Sequence, residues 1–256
     1  MNLAEAALIG AGAFAAGAVN SVAGGGTFFS FPALLAVGVP PVVANASNSV
    51  SLWPGSLSGA WAYKRELAPL KRYLVPMGLA SLAGGVVGGV LLLRTQDSEF
   101  ARLIPWLLAF ATALFAFSPR ISALLARWRA GRPATAQGGS AGGWLTQLLV
   151  SVYGGFFGAG MGILMMASLA IAGHEDVQEV NAIKNLLSAV IYSVTVVTFI
   201  VAGAVSWPHT LLMILTATLG GYWGATVARK VPAVWLRRVV IAVAALLTLH
   251  YFMKFY

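Results

Sequence analysis

Apolar runs separated by short polar or glycine-rich breaks fill this chain, and their lengths suit membrane spans better than a soluble core. The first run, about 4–22, is interrupted at Gly24-Gly25-Gly26 in the middle of a stretch that should be continuous, and it resumes over about 27–38. Runs at about 42–62, 73–93 and 102–118 follow. A loop rich in Arg, Gly, Pro and Ala is expected from Ser118 to Gly143, after which apolar runs return at about 144–159, 162–172, 178–203, 209–228 and 235–253. Several runs reach the ~20 residues that cross ~30 Å of hydrocarbon. The pieces 27–38 and 162–172 do not, and read as half-helices or arms of a hairpin.

The pattern occurs twice. At an offset of 136 residues (160 less 24), Gly24 and Gly26 fall on Gly160 and Gly162, and Asn45-Ala46 on Asn181-Ala182. Gly84, Gly85 and Gly88 fall on Gly220, Gly221 and Gly224, Arg94 on Lys230, and Arg102 on Arg238. The chain reads as a duplicated unit: 1–118 a first repeat, 119–143 a cytoplasmic linker, 144–256 a second repeat. Each copy breaks its own first membrane helix. Such breaks point to a transporter's binding site, because only unwound backbone offers free N–H and C=O groups inside lipid.

Composition agrees with the pattern. Hydrophobic residues make up 59% of the chain and charged ones 9%, against roughly 25% charged in soluble domains, so a polytopic membrane protein is expected. The net charge of +9 comes from basic residues gathered in short loops, which reads as an orientation signal and not as a nucleic-acid surface. The absence of Cys excludes disulfides, thiol chemistry and Cys-metal sites. The N-terminus lacks the basic region of a secretory leader, carries Glu5, and has a repeat partner, so it is read as structural.

Charge also sets orientation. Lys64–Arg72 holds four basic residues against Glu66, while its partner around Gly203–Trp207 holds none. Arg94–Arg102 balances its two Arg with Asp97 and Glu99, while its partner holds Arg229, Lys230, Arg237 and Arg238 without an acid. The copies therefore carry opposite biases. The positive-inside rule places Lys64–Arg72, Ser118–Gly143 and Arg229–Arg238 in the cytoplasm, and Arg94–Arg102 and Gly203–Trp207 outside. The expected fold is an all-α polytopic membrane protein with two inverted-topology repeats. Each repeat is a glycine-broken hairpin helix followed by three transmembrane helices, and both termini lie outside.

Polar residues at membrane depth are costly and need a reason. Lys184 lies inside the run 178–203, with Asn181 and Asn185 on nearly the same helical face. It reads either as a lysine snorkelling to the interface or as a cation aimed at an anionic substrate. Its repeat partner is Asn48, within a cluster of Asn45, Ser47, Asn48, Ser49 and Ser51 that precedes Trp53-Pro54. That cluster serves either interhelical hydrogen bonding or a ligand. Trp53-Pro54 is expected to kink its helix. Asn20-Ser21 precedes the first glycine run and Thr27 follows it, whereas the second tip, Gly154 to Gly162, offers only backbone. Half-helix N-termini suit an anion. The candidate substrate-binding set is Asn20, Ser21, Gly24, Gly25, Gly26, Thr27, Asn45, Asn48, Trp53, Gly160, Asn181, Lys184 and Asn185. Gly84-Gly85-Gly88-Gly89 and Gly220-Gly221-Gly224 are read instead as small-residue helix crossings. His174, His209 and His250 lack ligand spacing, so no metal and no cofactor is expected. No P-loop and no nucleophile–base pair is visible, so an enzyme is not expected.

Three stretches carry a family likeness. They are Val19-Asn20-Ser21-Val22-Ala23-Gly24-Gly25-Gly26 with Phe31-Pro32-Ala33-Leu34-Leu35, then Ala44 to Ser51 with Gly59-Ala60-Trp61-Ala62-Tyr63, and in the second half Gly154 to Gly162 with Asn181-Ala182-Ile183-Lys184-Asn185. They resemble the TauE/SafE sulfite exporter family over nearly the whole chain apart from the linker. The sequence departs from many relatives at Met161, where they hold glycine or another small residue. The resemblance implies a carrier of small anions, often sulfur-containing ones such as sulfite, sulfoacetate or isethionate, in the bacterial inner membrane. The expected function is a secondary transporter, an exporter, working by alternating access. An anion channel or a carrier of a small carboxylate is the alternative. Expected partners are a small anionic substrate and the lipid bilayer, without nucleic acid, and a homodimer is left open. No carboxylate sits at a segment centre; membrane potential alone, ~2.3 kcal/mol per charge per 100 mV, is an adequate drive.

Overall fold

The computed structural model describes residues 1–22, 25–129, 141–172, 174, 176–227 and 233–256. The described residues form helices without strands: α1 (Leu3–Val22), α2 (Thr27–Ala36), α3 (Pro41–Ala62), the short α4 (Lys64–Leu67), α5 (Lys71–Arg94), α6 (Asp97–Arg129), α7 (Ala141–Phe156), α8 (Met161–Ala172), α9 (Val177–Val201), α10 (Trp207–Val227) and α11 (Ala233–Phe255). Among them, 5 helical stretches are long and apolar enough to cross a membrane: Leu3–Asn20, Lys64–Arg94, Asp97–Ile121, Gln178–Val201 and Arg238–Phe255. α2 and α8 are short apolar helices, as the broken pattern predicts. α3 has the length, at 22 residues, but carries the polar run Asn45 to Ser51.

Three boundaries differ from expectation. The stretch from Ser118, expected as loop, continues as helix through Pro119 to Arg129. A proline deprives the carbonyl four residues earlier of its donor; here that carbonyl, Phe115 O, accepts from Ser118 Oγ at 3.2 Å instead. The second half begins its first helix at Ala141. The basic loop Lys64–Arg72 is itself coiled into α4, a 3₁₀ turn at Ala68–Leu70 and the start of α5. The expected kink site Trp53-Pro54 lies within α3, which passes through Pro54 without a break.

Both interrupted segments are hairpins. A Cβ on Gly12 of α1 would stand 2.8 Å from Ala33 Cβ of α2, and one on Gly26 would stand 2.4 Å from Ala16 O. α2 therefore folds back along α1. In the second half, Gly158 and Gly160 take φ of 79° and 77°, a region costly for residues with a Cβ, and they turn the chain from α7 into α8. Val150 of α7 and Met161, Met165 and Leu169 of α8 share one buried cluster.

The closest approaches of one helix backbone to another at glycines join the two halves. α1 packs on α10, and α5 packs on α7. A Cβ on Gly17 would fall 1.9 Å from Ala217 O and one on Gly220 2.0 Å from Phe14 O, so α1 and α10 touch backbone to backbone. Gly84 and Gly88 bring α5 against the backbone of α7 in the same way, with 2.6 Å to Leu148 O and 2.1 Å to Val152 O. The crossing role expected of these glycines follows, since in lipid association depends on close packing and not on hydrophobicity. Gln147 of α7 adds polar glue, donating from Nε2 to Ser81 Oγ of α5 at 2.9 Å.

α3 and α9 run antiparallel through the centre. Ser47 lies against the start of α10, accepting from Ser206 N at 2.9 Å. Trp53 Nε1 donates to Ser193 Oγ at 2.9 Å, and Gly59 stands beside Asn185. Positions rise along α3 as they fall along the second half. The start of α3 is tied to the C-terminal end of α5: Val42 N donates at 2.8 Å to Asp97 Oδ1, just beyond Arg94. The start of α9 lies at the other end of α5, where the His174 ring stands 4.7 Å from that of Tyr73 and pairs with Glu179.

Candidate functional site

The first hairpin tip is closed by its own side chain. Asn20 Oδ1 accepts from Gly26 N at 2.9 Å, so this amide clasps the turn. Phe28 N and Phe29 N donate to the carbonyls of Gly25 and Gly26 at 3.1 and 2.9 Å. Thr27, the first residue of α2, is buried. Gly24 and the side chain of Ser21 lie outside the described residues. A Cβ on Gly25 would stand 3.2 Å from Phe115 of α6 and 3.5 Å from Val240 of α11.

The second tip uses a residue that the sequence reading passed over. Tyr153, just before the glycine pair, donates from Oη to Ala159 O across the turn. A Cβ on Gly160 would sit 3.6 Å from Ala111 and Leu114 of α6. Both tips therefore reach α6 on neighbouring turns, at Ala111–Leu114 and Phe115. Around them Phe31, Phe100, Phe156 and Phe157 pack edge to face, with centroids 5.6–5.7 Å apart for Phe100–Phe156 and Phe31–Phe157.

α3 ties both hairpins together. Asn48 Oδ1 accepts from Ser30 Oγ of α2, and Asn45 Nδ2 donates to Phe156 O, the last residue of α7, at 2.8 Å. Ser49 and Ser51 donate to carbonyls of their own helix, Asn45 O and Asn48 O. Trp53 is committed to Ser193. Most polar side chains of this cluster are thus engaged within the protein, some across helices and some along α3 itself. Asn45 Oδ1 is the exception: it is buried and no donor among the described residues reaches it.

Lys184 occupies a different position. It lies seven residues into α9 (184 less 177) and is partly buried. Its Nζ donates to Asn181 Oδ1 at 3.2 Å. A Cβ on Gly162, the second residue of α8, would stand 3.5 Å from Lys184 Cδ, so the lysine stem lies along the first turn of that helix. Met161 N and Ile163 N turn back onto the carbonyls of Gly158 and Gly160 at 3.2 and 3.0 Å. Among the described residues no carboxylate pairs with Lys184; the ion pairs are Met1–Glu5 and His174–Glu179. An ammonium beside a helix N-terminus is doubly positive, and the arrangement suits an anion.

The candidate residues thus fall into two groups. Lys184, Asn181 and Asn185 belong together, with Asn185 beside Gly59 of α3 and the Lys184 stem on Gly162 at the start of α8. Asn45 and Asn48, eleven residues earlier on α3 (59 less 48) and about 16 Å away at the helical rise, hold the first hairpin through Ser30 and the second through Phe156. Ser30, Tyr153 and Ser193 complete the groups. Of these only Ser30 carried a sequence signal, standing three residues after Thr27 on the polar side of a short apolar helix. An apolar groove of about 420 Å³ between α5 and α9, lined by Leu74, Gly78, Leu82 and Val190 among others, contains none of the candidate residues.

Comparison with known proteins places the chain among membrane proteins of one kind. The family model described as Sulfite exporter TauE/SafE matches residues 9–251. A "probable membrane transporter protein" of Haemophilus influenzae is 24% identical over 242 residues, covering 92% of this chain and 89% of the relative. "Probable membrane transporter protein ORF9" of Sinorhizobium sp. is 28% identical over 239 residues, 93% of this chain and 88% of the relative. "Probable membrane transporter protein YfcA" of Escherichia coli K12 is 25% identical over 240 residues, 92% and 85% of the two chains. No solved structure gives a significant match.

Proposed function

The chain belongs to the TauE/SafE sulfite exporter family, and on that premise we propose that it carries a small sulfur-containing anion, sulfite or an organosulfonate, outward across the bacterial inner membrane. It is a multi-pass membrane transporter of that family. The observation that carries the substrate class is Lys184: an ammonium held by Asn181 without a carboxylate partner among the described residues, its stem lying along the first turn of the half-helix α8. A charge at the centre of a membrane helix costs about 2.5–3.5 kcal/mol on insertion scales; Lys184, about two turns into α9, bears part of that cost, and an anionic guest supplies the missing counter-charge.

Two inverted copies are the topology we infer, supported by the antiparallel run of α3 and α9 and by the opposite charge biases of the loops. Alternating access then moves one body, α1–α2 with α10, against another, α7–α8 with α5. Each body is sealed by glycine contacts and each mixes both halves. α3 and α9, joined at Trp53–Ser193, form the seam. A membrane potential negative inside drives the anion outward.

The test is counterflow of radiolabelled sulfite, isethionate and acetate in proteoliposomes. Saturable flux of the sulfur anions, lost in Lys184→Met, is expected. Flux that is unchanged in that variant, or that favours acetate, overturns the reading.

A further inference from the structure

The two halves treat the same side-chain oxygen differently. In the second half Asn181 Oδ1 accepts from the ammonium of Lys184, one turn on, at 3.2 Å. At the same place in the first half stands Asn45, and one turn on from it is Asn48, which carries no charge. Asn45 is 1% exposed. Its Nδ2 donates to Phe156 O at 2.8 Å. Because only nitrogen can donate to that carbonyl, the oxygen is the atom left over, and no donor among the described residues reaches it. A buried acceptor without a partner costs about 1–3 kcal/mol, so a partner is expected there.

We propose that Asn45 Oδ1 and Phe156 O form a site for a monovalent alkali cation, the mobile counterpart of the lysine ammonium in the second half. Three features select a cation. Phe156 is the last residue of α7, whose C-terminal carbonyls are the negative end of a helix dipole inside the bilayer. Its carbonyl oxygen keeps a second lone pair after accepting from Asn45. The donors present are neutral oxygens, which suit a hard ion of single charge and exclude the thiolate or imidazole sets of transition metals. Asn48 Oδ1, by contrast, is taken by Ser30 Oγ, and Asn45 O by Ser49 Oγ, so the cation has this one opening in the cluster.

The test needs no sulfur anion and is therefore independent of the substrate reading. Purified protein in detergent, at constant chloride with choline as the balancing cation, is titrated with NaCl and separately with KCl while thermal unfolding is followed. A saturable rise in Tm with Na⁺ or K⁺ over choline is expected. It should vanish in Asn45→Leu. It should persist in Asn45→Asp with the half-point at least tenfold lower, because a carboxylate adds charge at the same oxygen. An equal response to all three cations, or one that survives Asn45→Leu, overturns the site and leaves the oxygen to a water molecule. If Asn45→Leu yields no folded protein, the aspartate variant decides, and an unchanged half-point overturns the proposal.

Discussion

The indole N–H of Trp53 donates to the hydroxyl of Ser193 at 2.9 Å, joining two helices that occupy the same place in the two halves of the chain. The bond is isolated enough to measure. Trp53→Phe keeps the ring and removes the donor. It should cost about 0.6 kcal/mol and at most ~1.7, the range found for interhelical bonds in lipid. Ser193→Ala should cost a similar amount, and the double variant little more than either alone. Thermal unfolding of the four proteins in detergent checks this cycle.

Glycine contacts should matter far more. Alanine at Gly88 or Gly220 would place a Cβ 2.1 or 2.0 Å from a backbone carbonyl oxygen of the facing helix. Such overpacking costs roughly 1–3 kcal/mol and occasionally more. Gly88→Ala and Gly220→Ala should each lose most of their monodisperse peak in size-exclusion chromatography. Gly78→Ala, which meets nothing within 4 Å, should match the parent.

Space beside Lys184 should tune transport without removing the charge. A Cβ on Gly162 meets Lys184 Cδ at an ordinary 3.5 Å, so Gly162→Ala should transport nearly normally. Gly162→Leu would press on the lysine stem. It should raise the half-saturating anion concentration several-fold or more in proteoliposome flux, while the folded yield stays close to that of Gly162→Ala.

Orientation can be read chemically because the chain has no Cys. Single cysteines at the exposed positions Gln96 and Ala202 should react with a membrane-impermeant maleimide in intact cells, and one at Glu66 only after permeabilisation. Labelling of all three in intact cells would contradict opposed loops.

Much of this architecture was legible in the chain. The glycine runs marked both hairpins, because no other residue tolerates the backbone at Gly158 and Gly160 so readily. The spaced glycines of α5 and α10 marked close crossings. What periodicity does not carry is the identity of the facing partner. It puts Asn45 and Asn48 on one face and Lys184 and Asn185 on another, but gives no register between α3 and α9, so one combined cluster was expected where two groups some turns apart are found. The stretch after Ser118 looked like loop from its Arg, Gly, Pro and Ala content, because the bond by which Ser118 compensates for Pro119 is a matter of rotamer. Tyr153 looked like an ordinary aromatic, since its hydroxyl finds Ala159 O only once the turn has formed.

The pressing of α1 onto α10 and of α5 onto α7 has a bearing on origins. Severed in the linker, each fragment would retain a glycine groove shaped for a helix it no longer possesses. On the inverted topology inferred above, a forebear encoded as one copy would have needed a twin lying head to tail in the same membrane to fill that groove, and fusion of the genes would have preserved a partnership already formed between separate polypeptides.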